Sequence, residues 1–297
     1  MGLDCLLSMV ERLRVTSPSE QDVSSNGDGQ VLFKIGDLPR TRRHFLRSLF
    51  ASPLDLPFDL WGLGIDLQRG GLAFLRDRFD NHLSTEGIPR GHDQPTILAT
   101  GLLGSKWSLE PMGNWLSGLD YDVYYAEYPY GVNREEIKKR EQILLKKTRE
   151  VFRATGKRVN WWLWSKATLE ALMAALEHPQ QVKKMVNHMD LVGIPVKCRL
   201  NSAVGLIYLA ISNGDDFRLR AKYGDEVEVR VPEGVGYTII ESENNEVCQF
   251  DNGKFQGTYF VNTGHSALGV HPKVKIITAF SLAGREVSQE MIDRLAA

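Results

Sequence analysis

The sequence is short of the features that announce several large protein classes. Of its 297 residues only three are cysteine (Cys5, Cys198 and Cys248), at spacings that match neither a zinc pattern nor a disulfide framework. Charge of one sign is missing too. Thirty-six Lys and Arg stand against 37 Asp and Glu, a formal net charge of -1, where a nucleic-acid binder carries a strong basic excess. No apolar run approaches the roughly 18 residues that a membrane-crossing helix needs. A glycine-rich phosphate loop is lacking as well, because Gly101-Leu102-Leu103-Gly104-Ser105-Lys106 does not have the required spacing. What is present, 42% hydrophobic and 25% charged residues, is the composition of an ordinary globular chain.

The first ninety residues read as an N-terminal extension. Residues 17–30 are polar and rich in Gly and Ser, with little to bury, and are expected to be mobile. Thr41-Arg42-Arg43-His44-Phe45-Leu46-Arg47 resembles a twin-arginine export signal. The apolar stretch behind it, Ser48 to Leu54, is short and broken by Asp55 and Asp59. A basic first turn of an amphipathic helix is the better reading, which slightly favours a cytoplasmic location. Residues 54–83 put Leu, Phe, Trp and Ile at mixed helical spacing around Pro57. They suit a strap on the main domain, or a lid over a lipid substrate.

From residue 91 the pattern becomes alternating strand and helix. Strands are expected at 95–100, 121–126, 159–164, 184–196, 236–241 and 257–262, and helices at 135–155 and 168–176. Alternation of this kind predicts an α/β fold with a mostly parallel central sheet flanked by helices. In such sheets reactive groups gather at the carboxyl ends of the strands. Ser165 follows the strand Val159–Trp164 and precedes a helix, the setting of a nucleophile elbow. A serine hydroxyl needs a base within hydrogen-bond reach. His265, among small and polar neighbours just past the last expected strand, is the candidate.

These residues, in this order, resemble the α/β-hydrolase fold family and its bacterial lipases and esterases, over residues 93–285. Leu163-Trp164-Ser165-Lys166-Ala167-Thr168 resembles the family's elbow, and Ala99 to Gly104 stands where its oxyanion loop lies. Gly193-Ile194-Pro195 resembles its Gly-Thr-Pro, and His265-Ser266-Ala267-Leu268 its terminal histidine loop. The resemblance implies Ser165 as nucleophile and His265 as base. Backbone N–H groups of Leu102 and Lys166, beside Gly101, are then the oxyanion donors, and Trp164 is a pocket wall. It implies a small-molecule or lipid ester as substrate, with no cofactor, metal or nucleic acid.

Three positions depart from the family pattern. Leu163 and Ala167 replace elbow glycines, so the Leu163 side chain must find room where hydrogen is usual. Asn245 falls at the acid position, where an amide can orient the imidazole but supplies no charge; Glu243 or Glu246 is then the substitute carboxylate. These departures favour, as the alternative, a catalytically impaired protein that binds an apolar ligand or a protein partner. The remaining motifs read as structural. His188 and Asp190 form an isolated pair, Trp161 and Trp162 pack the core, and Lys138-Lys139-Arg140, beside Glu135, Glu136 and Glu141, forms a solvated helix face.

Overall fold

The computed structural model describes residues 83–101, 105–126, 128, 134–194, 231–243 and 258–296, with the short strands Phe33–Ile35 (β1) and Val227–Val229 (β6). The expected mobile segment, the twin-arginine-like motif and the strap up to residue 82 lie outside these residues, β1 apart. So do Leu102, Asn245 and Glu246.

Six strands form one parallel sheet: β2 (Gln94–Ala99), β3 (Tyr121–Tyr125), β4 (Val159–Trp164), β5 (Val186–Val192), β7 (Gly236–Ser242) and β8 (Thr258–Val261), in the order β3-β2-β4-β5-β7-β8. Apart from it, β1 pairs antiparallel with β6, Lys34 opposite Glu228.

The strands are apolar on both sides because helices cover both faces. Along β4, Val159, Trp161 and Leu163 enter one core, shared with helices α2 (Arg134–Thr155), α3 (Lys166–Glu177) and α4 (Pro179–Met185). Trp162 and Trp164 face the other, shared with α1 (Lys106–Gly118), α5 (Pro272–Leu282) and α6 (Gln289–Ala296). The buried indoles find partners for their N–H groups, Trp161 at Thr148 Oγ1 (2.9 Å) and Trp162 at Thr278 Oγ1 (3.0 Å).

The structure corrects the expected strand at 184–196. Lys184 and Met185 end α4, whose first residue is Pro179, and β5 begins only at Val186. Proline at a first helical position has a preset φ and no N–H to lose, so it starts a helix there. Leu163 finds its room in the core, fully buried, with Ala99 as its cross-strand partner and Ala167 in the same cluster. Small neighbours accommodate the side chain that the elbow position usually lacks.

Helix α5 starts at a histidine. His271 is its N-cap, and its Nδ1 accepts the Lys273 backbone N–H at 3.2 Å. Burial, and then the charge of Lys273, lower its pKa from 6.5 to about 4. Between those values the unfolded chain binds a proton that the folded chain refuses. This stability contribution is whole above pH 6.5 and is lost as the pH falls towards 4. Denaturation midpoints measured across that window should fall, and His271→Asn, a non-titrating cap, should reduce the slope by up to one proton.

Candidate active site

Between β3 and β4 the chain crosses back over β2, so a crevice opens beyond the carboxyl ends of β2 and β4. Open α/β sheets bind ligands at such a switch point. Gly101 leaves β2 on one wall, and Ser165 leaves β4 on the other.

Ser165 has φ 58° and ψ −126°, a conformation that non-glycine residues rarely hold. The turn is fixed from both sides. Its N–H donates to the Val192 carbonyl (2.8 Å), and its carbonyl accepts the Thr168 N–H (2.9 Å) and hydroxyl (2.7 Å). The hydroxyl is thereby lifted from the sheet at the N-terminus of α3, where backbone N–H groups and the helix dipole favour negative charge.

His265 opens a short 3₁₀ turn, His265–Ala267, just past β8, and is buried. Its Nε2 stands 2.9 Å from Ser165 Oγ, across 100 residues of chain. The opposite edge of the ring lies on Gly193, where φ is +62° and an added Cβ would come within 2.9 Å of Cε1 and 3.1 Å of Nδ1. Only glycine suits both that backbone and that contact.

Gly101 is as tightly placed. A Cβ there would lie 2.7 Å from Ser165 Cβ and 3.1 Å from the Lys166 backbone nitrogen. The loop expected to provide the oxyanion site therefore touches the elbow, although Leu102 lies outside the described residues. Trp164 packs its ring against Gly269, whose added Cβ would meet it at 2.9 Å, so the indole forms a wall beneath the histidine loop.

Of the acidic candidates, Asn245 and Glu246 are outside the described residues and Glu243 is exposed. Sequence reasoning missed Glu241. It is fully buried near the end of β7, and its Oε1 accepts the Ile194 N–H at 2.6 Å, one residue beyond the glycine under the His265 ring.

A second surprise corrects the solvated-face reading of α2: Arg140 and Glu141 are both buried. Arg140 Nη2 donates to the carbonyls of Thr100 and, at 3.1 Å, Gly101. Its Nε lies 2.9 Å from Glu170 Oε1, and the guanidinium stacks 3.9 Å over Tyr128. Lys166 Nζ stands 3.5 Å from the same Glu170 oxygen. The composition of α2 held no sign of this, since a cation run beside acids looks alike whether or not one guanidinium turns inward.

Two other polar clusters lie apart from the crevice. Asp190, fully buried, accepts the Ser281 hydroxyl (2.7 Å) and stands 3.2 Å from His188 Nε2. Burial raises its pKa, opposed by His188. Glu141, Glu177 and His178 bring one ligand atom each within 4.8 Å of one another. His178 Nε2 and Glu141 Oε1 are 3.5 Å apart, as in an ion pair, and the group sits at the far end of α3 from Ser165.

No protein-family model matches this sequence, and no curated protein does. Solved structures do resemble the fold. Aspergillus fumigatus lipase B aligns at 16% identity with a TM-score of 0.51, over 72% of this chain and 59% of that one. The chain thus spans 59% of that lipase's length. Bacillus licheniformis lipase BlEst2 in mature form aligns at 14% identity and TM-score 0.43, over 65% and 90% of the two chains. An extracellular α/β-hydrolase from a Paenibacillus species aligns at 10% identity and 0.43, over 65% and 100%. With the strand order above, the likeness to lipase B identifies the architecture: this chain has the α/β-hydrolase fold.

Proposed function

We propose that the protein is a serine hydrolase that cleaves carboxylic esters. One observation carries this reading: Ser165 Oγ, on a positive-φ turn at the head of a helix, lies 2.9 Å from His265 Nε2. Attack of Ser165 Oγ on the ester carbonyl passes its proton to Nε2. The tetrahedral oxyanion is received by the N–H groups of Lys166 and residue 102. The protonated imidazole then returns the proton to the departing alkoxide, and the alcohol leaves. Water, deprotonated by the same nitrogen, releases the acid and regenerates the hydroxyl. Glu241, which accepts the Ile194 N–H one residue past the glycine beneath the His265 ring, is the carboxylate assigned to the imidazolium. An apolar acyl group suits the walls, with Trp164 below and Trp107, 51% exposed, on the helix that follows the oxyanion loop.

A fluorophosphonate probe tests this directly. Wild-type protein should be labelled, with the adduct mapped to Ser165 by peptide mass, and should hydrolyse p-nitrophenyl esters. A folded protein that stays unlabelled and turns over no ester would overturn the reading and leave a binding protein built on the same crevice.

A further inference from the structure

We infer that Arg140 is a positioning residue for the oxyanion site, tied through Glu170 to both of its walls. The inference rests on the ester-hydrolase reading above. A peptide group is planar and trans, so its C=O and N–H point in opposite directions. The Gly101 carbonyl and the N–H of residue 102 belong to one such group. Whatever grips the carbonyl also aims the N–H.

Arg140 is that grip. Glycine leaves the peptide planes on either side of it free to rotate, and Gly101 cannot be stiffened by a side chain because Ser165 occupies the space. The carbonyls of Thr100 and Gly101 both accept from the same guanidinium nitrogen. This charge-assisted contact holds two successive peptide planes, and it polarises the second towards stronger donation on its N–H side. At the other end of the loop the Ser105 N–H donates to Ser108 Oγ (3.1 Å), whose hydroxyl returns to the Ser105 carbonyl (2.7 Å). Thr100, Gly101 and Ser105 are thus each fixed by a side chain from a helix.

Glu170 links the two walls. It meets Arg140 Nε, and it also meets the ammonium of Lys166, whose own backbone N–H is the second oxyanion donor. Arg140, Lys166 and Glu170 are respectively 6%, 1% and 2% exposed. Burying three charged groups is a poor way to gain stability, since apolar side chains of similar volume commonly do as well or better. Fixing a register between loop and elbow is what such a cluster does and an apolar one does not.

Arg140→Met and Arg140→Lys test the assignment, each normalised to the titrated fraction of Ser165. Losing an oxyanion donor outright costs about 10²–10³ in kcat. Loosening one should cost about 10–100-fold, with KM within about threefold, and should weaken a phenylboronic acid, which mimics the tetrahedral state, by the same factor. Lysine cannot reach Glu170 and two carbonyls together, so it should rescue little. If methionine prevents folding, the lysine variant decides alone. Amide hydrogen exchange reads the same point without turnover: peptides covering 99–105 should exchange at least tenfold faster in either variant, with the global midpoint of unfolding accounted for. Unchanged loop exchange overturns the positioning role, as does an unchanged kcat per titrated serine. A wild-type protein that neither labels nor turns over ester fails the hydrolase reading instead, and loop exchange still decides what Arg140 holds.

Discussion

Ser165→Ala should bring ester turnover to the rate of the uncatalysed reaction plus whatever the oxyanion site supplies alone, and His265→Ala should do nearly the same. In a serine protease, loss of either partner costs about 10⁶ in kcat, and losing both costs little more. The reason applies here. The hydroxyl is a weak nucleophile unless its proton has somewhere to go, and the imidazole at 2.9 Å has no task in the reaction without that proton. The double variant should therefore match the worse single variant within about threefold, as measured by burst-free ester kinetics on protein of verified fold. Additive losses would mean the two side chains act separately, whatever their separation. The substitution also isolates the cost of the elbow. Alanine keeps the strained φ of 58°, so the melting temperature should hardly move while activity disappears.

Much of this arrangement was legible in the order of residues. Strand, serine, helix placed Ser165, and a histidine beyond the last strand placed His265, because an open sheet collects the ends of its strands in one crevice whatever the distance along the chain. Boundaries were less readable. Helix α1 escaped prediction because Pro111, Gly113 and Gly118 lie within Lys106–Gly118, yet its Leu109, Met112 and Leu116 supply a buried stripe. The fate of charged side chains was the least readable of all. Periodicity tells which face of α2 is polar, but not that Arg140 finds two carbonyls and a carboxylate inside the fold. Burial of this ion depends on partners from two other segments, 30 to 40 residues away along the chain.

Glu241→Gln should lower kcat by about 10²–10⁴-fold with little change in KM. In the serine-protease triad, replacing the carboxylate by its amide costs about 10⁴. The glutamine retains a carbonyl oxygen for the Ile194 N–H, so the strand end stays in place and the change tested is the charge. The sequence points further along the loop, to Asn245 with Glu243 or Glu246 as substitutes, because the family's acid follows the strand, whereas Glu241 lies within it. Backbone alternation is the reason. A glutamate among the apolar residues of GYTIIES looks like a surface position, but both faces of this sheet are covered, so Glu241 has no surface to reach. A buried carboxylate is expensive unless hydrogen bonds or an opposing charge offset the lost hydration. In the proposed ester hydrolysis, the His265 imidazolium, beside the glycine next to Ile194, is such a charge. Glu243→Gln is the control: that side chain is exposed, and kcat should stay within about twofold. Should Glu241→Gln leave kcat within about threefold, the support for His265 comes from the loop beyond β7. Asn245→Asp should then raise turnover, as it would not if Glu241 already supplies the charge.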